Sequence, residues 1–238
     1  MDTGWIRFER DGYEFVEECS CRKSSKAKIR MENSGLKDVI HDYTFKSFRD
    51  EEPWQQALLQ KARKYVSVLK SGKQRNLPWF FVGGPAGCGK THICTAICGQ
   101  LLAAGKSVQY MRWLRDSPEI KAAITDREEY NRLIARYTAC DVLYIDDLFK
   151  SQNVEKPTPT PTEADVKLAF SILDERYVTD KPTVISSEWY LLDEIMATDE
   201  ATFSRVYQRT GGGADFNIRV ARQPHRNWRV THCDQTAI

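Results

Sequence analysis

The feature that most constrains the fold is a glycine-rich segment that fits the pattern G-x-x-x-x-G-K-[ST] in full. Glycines let the backbone curl so that successive N–H groups point at phosphate oxygens, and a helix that begins there adds the positive end of its dipole. An apolar run at 79–82 precedes the segment, and helical residues follow it from about 90 to 104. The segment, called the phosphate loop below, consists of Gly84, Pro85, Ala86, Gly87, Cys88, Gly89, Lys90 and Thr91.

We predict that the phosphate loop binds the phosphates of ATP, with ATP and Mg²⁺ as cofactors. Lys90 is expected to reach the β- and γ-phosphates and to take part in catalysis, and the Thr91 hydroxyl to be a ligand of the Mg²⁺ ion. The alternative is a chance match in a glycine turn. The strand before the segment and the helix after it favour the phosphate-binding interpretation.

Short apolar runs alternate with helical patterns over the rest of the chain. Runs at 108–111, 142–145 and 183–186 predict strands. Apolar periodicity predicts helices at about 52–70 and behind a cap at Thr162, and helical residues fill the stretch from about 117 to 138. This alternation predicts an α/β fold in which helices flank a parallel sheet. Residues 1–45 are predicted to be largely irregular with an extended stretch at 13–16, and the proline-rich stretch 156–161 to be a stiff surface connection.

Two carboxylates, Asp146 and Asp147, follow the apolar run at 142–145. Ligands of open α/β sheets bind at the carboxyl ends of the strands, so both acids are expected to face the crevice that holds the phosphate loop. We predict that Asp146 holds Mg²⁺, directly or through water. Asp147 is predicted to orient the attacking water and to receive its proton. The alternative is a polar strand end that caps the next segment.

Composition indicates a globular protein without a membrane partner. Hydrophobic residues make up 41% and charged residues 29% of the chain, and no apolar run approaches the roughly 20 residues that cross a bilayer. The N-terminus lacks the pattern of a secretory signal. The seven cysteines are an odd number, and Cys94, Cys98 and Cys140 lie in predicted helices or strands. Reduced thiols and a cytoplasmic location are therefore expected.

Together with several other segments, these motifs resemble the DnaC/DnaI-type helicase loaders of the AAA+ class, within the IstB-like ATPase superfamily and especially in phage and prophage versions. The resemblance covers most of the chain. It implies a P-loop NTPase of AAA+ type at 46–238, a partner-binding region at 1–45, and self-assembly through the ATP site. The segment 43–48 is similar to the family's approach to the adenine. The functions implied are ATP hydrolysis and delivery of a DnaB-type replicative helicase to single-stranded DNA during replication.

The same resemblance implies further site residues. The segment 204–209 is similar to the box that carries the arginine finger, which implies Arg205, and Arg229 falls where a second sensor arginine lies. The segment 181–187 resembles the strand that carries the polar sensor of the γ-phosphate. The family usually has Asn at that sensor, whereas this chain has Glu188 with Ser187 beside it. A carboxylate repels the γ-phosphate, so either Ser187 substitutes for the Asn or hydrolysis is slow.

The N-terminal residues leave alternatives open. The basic run 22–30 follows two rings, Tyr13 and Phe15, which suits single-stranded nucleic acid, a helicase partner or a merely solvated arm. Cys19 and Cys21 are two cysteines where the zinc module of some relatives needs four ligands, so zinc would require ligands from elsewhere.

Three other functions compete with helicase loading. The first is an IstB-type transposition helper, which targets double-stranded DNA. The second is a nucleotide-dependent binding switch with little turnover, suggested by Glu188. The third, a small-molecule kinase, is disfavoured because the late arginines resemble intersubunit and sensor groups.

Overall fold

A computed structural model of the chain describes residues 5–10, 13–18, 26, 29–72, 75–150 and 161–231. The predictions for Cys19, Cys21 and the connection at 156–160 lie outside these residues, as do residues 22–25, 27 and 28 of the basic run.

A five-stranded parallel sheet forms the centre of the molecule, in the order β4-β5-β6-β3-β7. Strands β3 to β6 correspond to the four predicted apolar runs. Strands β3, β5 and β6 are buried throughout because helices cover both faces of the sheet, whereas β4, at its edge, is partly exposed. The strands are β3 (Phe80–Gly83), β4 (Val108–Arg112), β5 (Val142–Asp146), β6 (Thr183–Ser187) and β7 (Asn217–Arg219).

Strand β3 lies between β6 and β7, although β4 follows it in the sequence. The chain therefore leaves β3, crosses to the far edge of the sheet and returns strand by strand through β5 and β6. Such a change in strand order opens a crevice at the carboxyl ends of the strands, where ligands of α/β sheets bind. The phosphate loop follows β3 directly and therefore lies at this crevice.

Eight helices accompany the sheet in the part of the chain that the structure describes. They are α1 (29–34), α2 (Pro53–Ser71), α3 (Lys90–Ala103), α4 (Trp113–Ala122), α5 (Arg127–Thr138), α6 (Glu163–Val178), α7 (Glu200–Arg209) and α8 (Trp228–Thr231). Short 3-10 turns lie at Ala123–Thr125 and Pro224–Arg226, and a π-helical turn at Leu191–Ile195. Within the described ranges, no helix has both the length and the apolar content that crossing a bilayer requires.

Two hydrophobic cores lie on the two faces of the sheet. Phe80 and Val82 of β3 belong to a core with the buried faces of α2 and α3, whereas Phe81, between them, belongs to a second core with residues of α4 to α7. This division follows from the alternation of side chains along a strand. The predicted α/β architecture, a parallel sheet with helices on both faces, is confirmed.

The helix predicted at 117–138 is two helices. Helix α4 begins at Trp113 and ends at Ala122, and α5 begins only at Arg127. The physical reason is a capping residue inside the predicted span: the Asp126 carboxylate accepts a hydrogen bond from the Glu129 N–H at 3.1 Å. This bond satisfies a donor at the start of a new helix.

The first 45 residues are more regular than predicted. Strands β1 (Trp5–Arg10) and β2 (Tyr13–Glu18) form an antiparallel hairpin that contains the predicted extended stretch. Phe8 and Phe15 lie opposite each other on it, with ring centroids 5.6 Å apart. Leu36 is fully buried and Ile40 packs against the core formed with α2 and α3. The domain boundary at residue 45 stays a prediction.

Candidate functional site

The phosphate loop has the backbone that its glycines predict. Gly87 and Gly89 have φ values of 75° and 86°, in the left-handed region that favours glycine. A Cβ atom on Gly87 would lie 2.1 Å from the Asn227 side-chain oxygen, so this position also lacks room for a side chain. Helix α3 begins immediately afterwards, at Lys90. The loop therefore ends at a helix N-terminus, whose unpaired N–H groups and dipole attract anions.

Lys90 is buried against the loop that precedes it. Its ammonium donates hydrogen bonds to the carbonyls of Gly84 and Pro85, both at 2.9 Å, and the residue is 5% exposed. An ammonium has three donors, so Lys90 can bind a phosphate oxygen while both of these bonds persist. The two carbonyls hold the amine over the loop.

A cavity of about 570 Å³ opens in front of the phosphate loop. Its volume is in the range of pockets that hold small molecules and cofactors. One wall contains Asp147, Lys150 and Glu188, at the ends of the sheet strands, and a second wall is formed by residues from 43–55 and 225–229.

Asp146 is nearly buried beneath this cavity and is surrounded by hydroxyl groups. Its Oδ1 accepts from Tyr144 at 2.6 Å, from Ser186 at 2.6 Å and from Thr91 at 3.3 Å, and its Oδ2 accepts from Tyr110 at 2.7 Å. Hydrogen bonds to a carboxylate are among the stronger ones in proteins. The four donors therefore hold the Asp146 carboxylate in one orientation, beside the first turn of α3.

The two tyrosines remain donors over the physiological pH range. Burial raises the pKa of Tyr144 well above its usual value, and the neighbouring charge of Asp146 raises it further. Burial and then the Asp146 charge raise the pKa of Tyr110 in the same way. The two rings stack with centroids 5.1 Å apart. This stack fixes the hydroxyls of both tyrosines on the Asp146 carboxylate.

The residues beside the loop fit a Mg²⁺ ion. The Thr91 hydroxyl and the Asp146 carboxylate lie 3.3 Å apart, which places two hard oxygen ligands side by side. Mg²⁺ prefers such ligands and usually completes its shell with water and substrate phosphates. Accordingly, the described residues contain no cluster of three or more Cys, His, Asp or Glu side chains able to hold a metal without such additional ligands.

Asp147 has a different environment from Asp146. It lines the cavity, and its Oδ2 accepts a hydrogen bond from the Lys150 ammonium at 2.9 Å. The same ammonium donates to Glu188 Oε1, also at 2.9 Å. Burial acts to lower the pKa of Lys150, but the hydrogen bonds and charges of the two carboxylates outweigh it and the pKa is raised. Lys150 therefore bridges the two acids as a cation.

The turn that carries these residues is unusual in its backbone. Asp147 and Phe149 have φ values of 55° and 66°, a conformation that costs residues with a side chain about 1–2 kcal/mol each. The Leu148 N–H donates to the Ser186 carbonyl at 2.8 Å, and the Asp147 N–H donates to the Ser186 hydroxyl at 3.0 Å. Phe149 is buried edge-on against Trp113. These contacts with β6 and the core hold the turn in place.

The structure places Ser186, rather than Ser187, beside the acids. Ser187 is fully buried, and its hydroxyl donates to the Leu148 carbonyl at 2.9 Å. The reason is strand alternation, because neighbouring residues of β6 point to opposite sides of the sheet. The Ser187 hydroxyl is therefore bound to the Leu148 carbonyl, and Ser187 is not among the residues that line the cavity. Glu188, which comes after the end of β6, does line the cavity.

The second wall contains the segment 43–48, which was predicted to pass near the adenine. The Tyr43 ring stacks on His92 with centroids 4.9 Å apart, and Phe48 meets the same imidazole edge-on at 5.2 Å. His92 Nε2–H donates to the Thr44 carbonyl at 2.9 Å. Burial lowers the pKa of His92. The neutral imidazole thus fastens the segment 43–48 to the first turn of α3.

The C-terminal segment completes this wall. The Trp228 N–H donates to the Gly87 carbonyl at 3.1 Å, and the Arg49 guanidinium lies 3.6 Å from the centre of the Trp228 ring. Arg229, predicted as a second sensor, lines the same cavity as the phosphate loop. The fold therefore brings Arg229 to the loop from the far end of the described chain.

Arg205 lies apart from the cavity. It is on α7, where its Nε is 3.3 Å from the Asp174 carboxylate and its guanidinium also donates to the Ala201 carbonyl. Its side chain is 35% exposed. Any contact of Arg205 with a nucleotide would therefore be with one bound by another subunit. Arg209, one helical turn further on, is instead buried and bound to Asp180 and to the Tyr177 carbonyl.

Sequence reasoning missed Tyr110, Tyr144, Ser186 and Lys150. One signal was available: Tyr144 precedes Asp146 by two positions, so both side chains lie on the same side of β5. Tyr110 pairs with Tyr144 across β4 and β5, and Ser186 comes from β6 on the other side. Those two contacts depend on strand order and register, which local patterns do not contain.

Comparison with known proteins relates the chain to one family. The family described as IstB-like ATP binding protein matches residues 15–201. The chain is 28% identical over 210 residues to "Phage-like element PBSX protein XkdC" of Bacillus subtilis (strain 168), which covers 87% of this chain and 76% of that protein. It is also 26% identical over 167 residues to "Replicative helicase loader DnaC" of Escherichia coli (strain K12). This match covers 68% of this chain but only 61% of the length of that relative.

A solved structure supports the same fold. The crystal structure of the DnaC helicase loader superimposes with a TM-score of 0.54 at 17% identity and covers 77% of this chain and 98% of that one. At this identity, the likeness concerns the fold alone. The sheet and its helices thus form a P-loop fold of AAA+ type.

Proposed function

Because the chain belongs to the family of IstB-like ATP binding proteins, we propose that it is an ATP-hydrolysing helicase loader, which delivers a DnaB-type replicative helicase to single-stranded DNA. One observation carries the ATP-dependent part. The phosphate loop, Thr91 and Asp146 meet in one place, and Asp147 lines the cavity in front of them. This combination suits phosphoryl transfer to water, because it would bring phosphate binding, two oxygen ligands for a metal and a base together.

The residues divide the chemistry among themselves. The loop N–H groups and Lys90 bind the phosphates, and Thr91 and Asp146 would hold a Mg²⁺ ion. Such an ion, when bound, neutralises charge on the β- and γ-phosphate oxygens. Asp147 orients the attacking water and takes up its proton. Arg229, in the wall of the cavity, is proposed to sense the bound nucleotide.

The partners are proposed from the relatives and from the exposed surface. The DnaC relative is named a replicative helicase loader, and the hairpin β1–β2 exposes Tyr13 (71%), Phe8 (44%) and Phe15 (44%). Exposed rings on a hairpin suit a protein partner or stacked bases. ATP would favour the state that holds the helicase and DNA, and hydrolysis would release it, because a nucleotide shifts conformations through differential contacts.

Self-assembly through the ATP site is proposed from Arg205. Its partly exposed position on α7 suits a guanidinium that reaches the nucleotide of a neighbouring subunit, after release from Asp174. A group of this kind contributes on the order of a thousandfold or more to the rate of phosphoryl transfer. Hydrolysis would then depend on assembly.

The test is ATP hydrolysis by the purified chain, measured alone and with a replicative helicase and single-stranded DNA. We expect stimulation by both partners and loss of ATP binding in Lys90→Ala, with the exposed Lys106→Ala as the matched control. Arg205→Ala should keep its ATP affinity and lose the stimulation. A wild-type protein with no affinity for ATP in the presence of Mg²⁺ would contradict the proposal as a whole.

Two alternatives are outcomes of the same experiment. The second candidate is the IstB-type transposition helper, since the matching family is described as IstB-like ATP binding protein, and stimulation by double-stranded rather than single-stranded DNA would support it. A switch with almost no turnover would bind ATP but show no stimulated hydrolysis. The bridge from Lys150 to Glu188 argues against the switch, because it offsets the carboxylate charge that was expected to repel the γ-phosphate.

A further inference from the structure

We propose that Lys150 is a positioning residue for hydrolysis: it orients Asp147, and Glu188 acts through Lys150. This inference rests on the proposed function, since it concerns the same site. It accounts for the one departure from the family pattern that the sequence displays at the reaction centre, the carboxylate of Glu188.

The geometry that carries the inference is a single ammonium between two carboxylates. Lys150 Nζ lies 2.9 Å from Asp147 Oδ2 and 2.9 Å from Glu188 Oε1. The three side chains are 34%, 27% and 36% exposed, and all of them line the cavity with Lys90 and Thr91. At such partial burial, a charge-assisted hydrogen bond is stronger than on an open surface.

The turn that carries Asp147 and Lys150 is held in place by a backbone hydrogen bond and by packing into the core. The Lys150 N–H donates to the Asp147 carbonyl at 2.9 Å, which closes the turn after β5. Leu148 and Phe149, between them, are 1% and 2% exposed and are packed into the core. Since the base and its partner belong to one short, anchored turn, their backbones are placed relative to each other before any ligand binds, and the two carboxylates then hold the ammonium.

Lys150 fixes which oxygen of Asp147 meets the water. A carboxylate can rotate and offers lone pairs on both of its oxygens. The bond from Lys150 engages Oδ2, so Oδ1 remains the oxygen for the water that Asp147 is proposed to activate. Without this hydrogen bond, the Asp147 carboxylate would populate several orientations. Misplacement of a base lowers turnover without changing nucleotide binding.

Glu188 has two effects through the same ammonium. It provides Lys150 with a second anchor, so that the ammonium is not drawn from Asp147 to the phosphate. In return, Lys150 offsets the charge of Glu188 beside the site of an anionic substrate. Removing Lys150 alone should therefore misplace Asp147 and also expose the phosphate to an uncompensated carboxylate.

The experiment measures kcat for stimulated hydrolysis and the Kd values of ATP and ADP in separate assays. The variants are Lys150→Met, Lys150→Arg, Glu188→Gln and the double variant Lys150→Met/Glu188→Gln. The control is Lys121→Met. Lys121 forms a comparable half-buried ion pair, with its Nζ 2.6 Å from Asp165 Oδ1, and neither residue lines the cavity. Thermal melting verifies that each variant is folded.

We expect Lys150→Met to lower kcat by about 10- to 100-fold, because misplacement of a reacting group by about 1 Å can cost about 100-fold in rate. It should also weaken ATP binding more than ADP binding. Lys150→Arg, which retains the charge, should recover most of kcat. Glu188→Gln should lower kcat in the wild-type background but not in the Lys150→Met background. The double variant should regain ATP affinity but not turnover, and Lys121→Met should match the wild type.

The inference is overturned if the wild type hydrolyses ATP and Lys150→Met does so at the same rate, or if Lys150→Arg is impaired as much as Lys150→Met. It is equally overturned if Glu188→Gln has the same effect with and without Lys150. In all three cases the proposed function stands. A wild-type protein that binds no ATP, by contrast, removes the proposed function and this inference together.

Discussion

The two walls of the cavity are built in different ways. The strand-end wall, formed by Asp147, Lys150 and Glu188 above the buried Asp146, follows directly from the ends of β5 and β6. The segment wall consists of residues from 43–55 and 225–229, which lie outside the sheet and are joined by ring contacts. The strand-end wall therefore continues the strands of the sheet, whereas the segment wall consists of segments that pack beside the sheet.

This difference has energetic consequences. Asp146 accepts four hydroxyl hydrogen bonds, and hydrogen bonds to charged groups each contribute about 1.5–3 kcal/mol. The stacking of Arg49 on Trp228 belongs to a class of contacts that contributes about 0.5–1 kcal/mol at exposed sites. The strand-end wall should therefore keep its shape in every nucleotide state, and the segment wall should be the one that adjusts to the ligand.

The largest effect is expected for Asp147, the proposed base in the strand-end wall. Asp147→Asn removes the base while retaining a side chain of the same shape, so we expect kcat to fall by about 100-fold or more while the Kd of ATP changes less than about threefold. Parallel measurements of turnover and equilibrium ATP binding give both numbers. Hydrolysis at the wild-type rate would show that the two walls do not differ in this chemical role.

The next largest effect concerns the hydroxyl groups that surround the buried Asp146. Tyr144→Phe removes a hydroxyl that donates to Asp146 at 2.6 Å, so we expect the free energy of unfolding to fall by about 1.5–3 kcal/mol. Urea unfolding measures it. Tyr65→Phe is the matched control, because the buried Tyr65 hydroxyl has no hydrogen-bond partner among the described residues. That variant should be neutral or stabilising, and an equal loss in both would contradict a special role for the bond to Asp146.

The strand-end wall was largely predictable from sequence because its main residues are adjacent in it. Asp146 and Asp147 end an apolar run, and the phosphate loop is a contiguous motif, so local patterns contain both. Ser186 shows the limit: only the pairing of β5 with β6 brings it to Asp146, and no local pattern in the sequence indicates this contact. Lys150 was missed because its direction depends on two left-handed residues in a turn.

The segment wall was less predictable, since its contacts join residues far apart in the chain. Arg49 and Trp228 meet only because the C-terminal segment returns across the phosphate loop. The position of Arg229 at the cavity followed from family resemblance, whereas neither composition nor periodicity indicated it. The division of the helical stretch predicted at 117–138 has a local origin, the cap at Asp126, which the sequence interpretation overlooked.

A smaller effect is expected at the segment wall itself. Trp228→Ala removes the ring beneath the Arg49 guanidinium, so we expect the Kd of ATP to rise about threefold to fivefold, the equivalent of 0.5–1 kcal/mol. Turnover at saturating ATP should be retained, because the strand-end wall is intact. Val230→Ala, a change at an exposed residue of the same short helix, is the control. A loss of turnover in Trp228→Ala without a change in Kd would reverse the assignment of the two walls.

The smallest effect is expected in the pH dependence of stability, which involves His92 at the segment wall. Burial lowers the pKa of His92 below its ordinary value of 6.5, so in the unfolded chain the imidazole binds a proton more readily than in the folded one. The unfolded state therefore gains protons first as the pH falls through about 6.5, and the free energy of unfolding decreases in that window. Above pH 6.5 this contribution is fully present, because the imidazole is neutral in both states.

Urea unfolding at pH 8 and pH 5.5 tests this for the wild type and for His92→Gln. The wild type should lose more stability between the two pH values than the variant, since the variant lacks the titrating group that joins the segment 43–48 to α3. His41→Gln, at an exposed position, controls for the removal of an imidazole in general. An equal loss in the wild type and in His92→Gln would mean that the segment wall is held without the neutral imidazole, and that its ring contacts with Tyr43 and Phe48 suffice.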